Sequence, residues 1–176
     1  MTRNWVIDSL NKDSTLTDLT KLDLIYLYSQ KVCNNDLGLT LLTCLYSTFE
    51  HKNIPFTFGL KIPLSFESNL NFIKRTQNLP SHLFIDQPNV YDKDKLQHFF
   101  ASAYLYWLIE NRYIANLTGI LIEIGEDSFI KGGAYDVRDL RSNRLGHLFY
   151  ELLKIHPDAT PSLIFQSWNK EFLGRN

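Results

Sequence analysis

The stretch Lys93–Asn111, KDKLQHFFASAYLYWLIEN, decides the fold. Its apolar residues Leu96, Phe99, Phe100, Tyr104, Leu105, Trp107 and Leu108 recur at spacings of three and four, the period of a helix with a broad apolar face. No Pro or Gly interrupts it, and Asp94 sits in the first turn, where the helix dipole favours negative charge. The spacing predicts one long helix with little surface left for solvent. Following the chain onward, Tyr113 to about Ser128 reads as a second helix, Gly132 and Gly133 as a turn, and Val137–Ile155 as a third helix. Pro157 and Pro161 close that unit. Ser162 is then a candidate cap for a terminal helix carrying Leu163, Phe165, Trp168 and Phe172.

In the other direction, Pro88 and Asn89 mark a loop, and residues from about Phe66 to Thr76 suggest a short helix ended by Pro80. Ile54, Phe56, Phe58, Leu60, Ile62, Leu64 and Phe66 alternate strictly, which is the pattern of an extended, one-sided strand. Pro55 and Pro63 cannot donate ladder hydrogen bonds, so the segment is expected at an edge. It is an arm over the helices, or a strand that pairs with a second copy in a homodimer. Before it, Leu16–Val32 reads as a helix with Ser14 or Thr15 as cap, and Gly38–Glu50 as another, the two separated by Asn34, Asn35 and Asp36. The expected architecture is mainly α: a single-domain helical bundle or orthogonal array over residues 1–176 with one extended edge segment.

Composition narrows the function classes. The 18 Lys and Arg balance 19 Asp and Glu, so no global field draws in nucleic acid. Charge-free runs span Phe99–Ile109 and Tyr113–Ile122 but are split by Glu110, Asn111 and Arg112. Each is shorter than the roughly 20 apolar residues of a spanning helix, so no transmembrane span is expected. Residues 1–10 lack the apolar core of a signal peptide, which points to the cytoplasm, with attachment to the periphery of the envelope as an option. Cys33 and Cys44 read as two unpaired buried thiols.

Polar residues on the three central helices carry the candidate chemistry. Asp94, His98 and Ser102 share one face of the first at four-residue spacing. Glu123 begins where the apolar run Ile120–Ile122 stops on the second, with Glu126 and Asp127 beyond it. Asp136, Asp139, Asn143 and Gly146 follow one stripe of the third, and Gly146 lets another helix approach closely. A buried carboxylate must be paired, hydrogen-bonded or bound to a cation. The plainer reading is a closed network in which His98 bridges Glu123 and Asp139, with Asp136 as a helix cap. The sharper reading is a divalent ion held by His98, Glu123 and Asp139, with Glu126 or Asp136 as base on its water. Nucleophilic catalysis lacks a G-x-S-x-G elbow, and Ser102 sits on the same helix as His98. Lys131-Gly132-Gly133 is too short for a P-loop. A pair of catalytic carboxylates, Glu123 with Asp136 or Asp139, needs a cleft that sequence cannot display. His51, His82, His147 and His156 form no second pattern.

Taken together, Asp94-Lys95-x-Gln97-His98-Phe99, then Glu123 with Glu126, then Asp136-x-x-Asp139-x-x-x-Asn143-x-x-Gly146 resembles the signature of VanZ-like proteins and of the related YfiM-type envelope proteins. The resemblance covers residues 92–153 and leaves 1–90 unassigned. It marks His98, Glu123, Asp139, Asn143 and Gly146 as the shared set, flanked by Asp94, Lys95, Gln97 and Asp136. Glu126 stands where relatives have Gln or Asp, and Gly133 where VanZ-like sequences carry Arg. VanZ-like members are membrane proteins linked to glycopeptide tolerance, and the YfiM-type ones resemble lipoproteins; this sequence has neither long spans nor a lipobox. The resemblance implies an envelope-related binding or structural protein with a protein or envelope partner. Metal-assisted hydrolysis by the same cluster is the alternative.

Overall fold

A computed structural model describes residues 16–55, 61–63, 67–86, 89–111, 113–115 and 136–174. Among the described residues, six helices of ten residues or more run in order as α1 (Asp18–Val32), α2 (Leu37–Thr48), α3 (Asn69–Asn78), α4 (Lys93–Ile109), α5 (Val137–Ile155) and α6 (Pro161–Leu173). Strands β1 (Asn53–Pro55) and β2 (Lys61–Pro63) lie between α2 and α3. The protein is mainly helical, as the sequence predicts, and α5 has the predicted bounds. The segment read as one extended arm instead folds back on itself. β1 and β2 pair antiparallel with Ile54 opposite Ile62, and Pro55 and Pro63 are the last residues of the two strands. The predicted helix from Tyr113 to Ser128 lies almost wholly outside the described residues.

Capping sets the helix starts and corrects three expectations. Thr17, not Ser14 or Thr15, caps α1 by accepting from Thr20 N at 3.2 Å. Asp36, read as a breaker, caps α2 by accepting from Leu39 N at 2.8 Å. Between these helices Asn34 and Asn35 take left-handed φ values of 52° and 62°, which Asn adopts more readily than most residues. Ser162 is not a cap but an early residue of α6. Its N–H and hydroxyl both donate to Asp23 of α1, at 2.8 and 2.6 Å. Asp18 likewise accepts from the N–H groups of Ser81 and His82 at 2.9 and 2.8 Å.

The larger core cluster is drawn from α1, α2, α4, α5, α6 and the segment 79–84, and a smaller one joins Tyr106, Ala115 and Tyr150. Phe99 of α4 is at the middle of the larger, with ring centroids 5.1 Å from Phe165, 5.4 Å from Phe149 and 5.1 Å from Phe100. Cys44 is buried there and Cys33 only partly so; both thiols are free. A fully buried Arg75 on α3 closes the far end of α2. It donates to the Ser47 and Phe49 carbonyls at 2.9 and 2.8 Å and pairs with Glu67 at 2.6 Å. Among the described residues no helix is long and apolar enough to cross a membrane.

Helices α4 and α5 approach each other closely because Gly146 has no side chain. A Cβ there would strike the Phe99 carbonyl oxygen and lie 3.1 Å from Ala103 N. Alanine is the better helix former by about 1 kcal/mol. The backbone it meets cannot turn aside, and overpacking of this kind costs about 1–3 kcal/mol or more. We therefore expect Gly146→Ala to lower stability by about 2 kcal/mol net in urea unfolding. An unchanged or higher midpoint would contradict the close approach.

Candidate functional site

The N-terminal ends of α4 and α5 meet, and their polar side chains converge on Lys95, which the sequence marks only as a flanking member of the family pattern. Lys95 belongs to the buried stripe of α4, with Phe99, Ser102 and Tyr106 at four, seven and eleven residues along. Its side chain is 2% exposed. The ammonium donates to Asp94 Oδ2 at 2.8 Å, Asp136 Oδ2 at 2.7 Å and Asp139 Oδ1 at 2.6 Å. Burial alone would push its pKa down. The bonds to Asp136, Asp139 and Asp94 outweigh that and hold it well above the ordinary lysine value.

Asp136 has two tasks. Oδ1 caps α5 by accepting from Arg138 N at 2.8 Å, and Oδ2 accepts from Lys95. Burial acts to raise its pKa, but the bonds from Lys95 and the Arg138 N–H prevail and lower it. Asp139 accepts from Lys95 and faces His98, whose Nε2 lies 3.3 Å from the same oxygen. One turn further, Ser102 donates to Asn143 Oδ1 at 2.7 Å, so this hydroxyl serves the helix interface. Of the predicted set, Asp94, His98, Asp136, Asp139, Asn143 and Gly146 all lie at the α4–α5 contact. Glu123 and Glu126 fall outside the described residues.

Three further features escaped the sequence reading. Glu50, just beyond α2, has its pKa raised, by burial first and then by the Asp94 charge. It adds a fourth carboxylate at the edge of the cluster. Asp92, with no exposed surface, accepts from Leu83 N and Phe84 N at 2.8 and 3.1 Å and forms an ion pair with Arg138. Arg141 pairs with Asp86 at 2.6 Å, its guanidinium between the rings of Phe84 and Trp168 at 5.1 and 5.0 Å. The first turns of α5 thus bind the segment 83–92 through cations, and α4 through carboxylates.

The candidate metal set His98, Glu123 and Asp139 is represented here by His98 and Asp139. Among the described residues no three His, Cys, Asp or Glu groups are arranged to hold a metal ion. Asp94 Oδ2, Asp136 Oδ2 and Asp139 Oδ1 each accept from Lys95.

The Glu50 and Asp136 shifts have opposite signs. Asp136, with a lowered folded pKa, adds stability that is present above the unfolded value near about 4 and lost as pH falls through its lower folded value. Glu50, raised, takes up a proton more readily when folded, so stability rises as pH falls toward its folded pKa. Glu50→Gln should therefore stabilise the protein at pH 7 by somewhat less than about 1 kcal/mol, with little gain below about pH 4. Chemical denaturation of both proteins across this range checks it, and a loss of stability at neutral pH would refute it.

No family model, curated protein or solved structure matches this chain.

Proposed function

We propose that the chain is a non-catalytic binding or structural protein of the cell envelope, in which the polar cluster is a closed lock between α4 and α5. The observation that carries this reading is the Lys95 ammonium held against Asp94, Asp136 and Asp139 at 2.6–2.8 Å. An ammonium with a raised pKa is a poor base and a poor nucleophile, and carboxylates so paired are poor proton acceptors. A divalent ion at the same oxygens would have to displace Lys95, stranding a buried cation. The resemblance of residues 92–153 to VanZ-like and YfiM-type proteins supports the envelope setting, with the chain at the cytoplasmic periphery and a protein or envelope partner.

The alternative is a metal-assisted hydrolase using His98, Glu123 and Asp139. The imidazole facing Asp139 at 3.3 Å speaks for it. Elemental analysis and thermal shift of the full chain with Mg²⁺, Mn²⁺ and Zn²⁺ separate the two. The closed lock predicts no saturable uptake by the wild type. One ion per chain, lost in His98→Ala with the fold intact, would sink it.

A further inference from the structure

About four turns along α5 from Asp139, roughly 20 Å by the helix rise, lies a cavity of about 380 Å³. That size falls within the range of small-molecule sites. Its walls are the last turn of α1, the first turn of α2, the end of α5 and the two residues Pro157 and Asp158 that follow. Leu37, Leu153 and Pro157 give it an apolar side.

The polar side is uncommitted. Gln30, Asn35 and Asp158 line the space, and among the described residues none of their side chains has a hydrogen-bond partner. Tyr26 also lines it and is 2% exposed, with its ring packed edge-on against Phe149 at 5.2 Å. Its hydroxyl has no hydrogen-bond partner among the described residues, yet it is not one of the sealed polar atoms of the interior. The small open area of this buried side chain therefore faces the cavity. That hydroxyl is open to a hydrogen bond from a molecule in the cavity.

The charge is one-sided. Among the described residues Asp158 is the one carboxylate in the lining, which holds no cationic side chain. Nearby Lys154 is held by Glu151 at 2.6 Å. The C-terminal ends of α1 and α5, the negative ends of their dipoles, both border the space. The opposing N-terminus of α2 is already capped by the Asp36 carboxylate. A carboxylate, amide oxygens and two negative dipole ends together favour a cation.

We propose that this cavity binds a small primary aliphatic ammonium, with its charge at Asp158, its hydrocarbon body on Leu37, Leu153 and Pro157, and any distal hydroxyl at Tyr26. The site is separate from the Lys95 cluster and stands whether or not that cluster is catalytic.

Titration of the ¹⁵N-labelled full chain with butylammonium and 4-amino-1-butanol tests this. Both are expected to shift the amides of Gln30, Asn35, Leu37, Thr40 and Asp158 saturably with millimolar dissociation constants, the amino alcohol binding more tightly. Pentanoate, an anion of similar size, should leave them unmoved. Asp158→Asn, at an exposed position without bonds, should weaken both amines about tenfold. Tyr26→Phe should abolish the advantage of the amino alcohol and leave butylammonium unchanged. No saturable shift at tens of millimolar, equal binding of pentanoate, or full affinity in Asp158→Asn each overturns the proposal.

Discussion

Replacing Lys95 by methionine is expected to destabilise the protein by about 3–5 kcal/mol at pH 7, the range for stripping one partner from a buried ion cluster. Methionine fills a similar volume, so the loss is electrostatic and not a matter of packing. Asp139, 8% exposed, loses the ammonium beside it, while Asp94 and Asp136, at 41% and 36%, retain some water. The penalty should shrink below about pH 4, where the carboxylates take up protons in folded and unfolded chains alike. The wild-type lysine behaves in the opposite sense. Its folded pKa is raised, so its contribution is complete below the unfolded value near about 10.4 and is lost only as pH rises through the higher folded one.

A second change separates a lock from a generally fragile region. Adding Asp139→Leu to Lys95→Met removes the charge left exposed to a dry environment, and much of the lost stability should return. Equilibrium denaturation of wild type, both single variants and the double variant gives the coupling directly. A Lys95→Met loss under about 1 kcal/mol, the value of a surface pair, would show that the cluster is solvated and no lock at all.

Arg75→Ala should be equally severe, at about 3–5 kcal/mol. The side chain has no exposed surface and meets three separate parts of the chain: Glu67, the Ser47 and Phe49 carbonyls, and the Phe72 ring at 5.4 Å. Truncation takes the guanidinium away from a carboxylate that is 8% exposed and from two backbone carbonyls. Arg75→Lys should recover only part of the loss, because one ammonium cannot span both the Glu67 fork and the paired carbonyls. Thermal and urea unfolding report both variants, and equal stability of Arg75→Lys and wild type would show that planar geometry is irrelevant here.

Periodicity made the helices legible, since the apolar residues of α1, α2, α4 and α5 each face one core. Val137–Ile155 was readable to its bounds because Asp136 and Pro157 punctuate it at both ends. The site was half legible. Asp94, His98 and Ser102 at four-residue spacing looked like the inward stripe of α4, and Asp139 and Asn143 like their partners. The true inward stripe is Lys95, Phe99, Ser102 and Tyr106, one residue further round, and it puts an ammonium where an ion had been expected. Lysine is so rarely buried that its type argued against the position its spacing implied. The hairpin was hidden because alternation over Ile54–Phe66 is the same for one long strand and for two short ones. The Asp18, Asp23 and Asp92 contacts join residues far apart in the chain, and no local pattern encodes them.

The Asp23 contact bears on how the polypeptide is completed. Helix α6 opens on Thr160, which makes no side-chain cap of its own, and takes the missing acceptor from a carboxylate 139 positions upstream. A ribosome must therefore add 139 residues beyond Asp23 before that helix gains its terminal support. Helices α1 and α6 then close on each other as a non-local contact in assembly. Loss of the Asp23 carboxylate would accordingly be felt at a helix far along the chain.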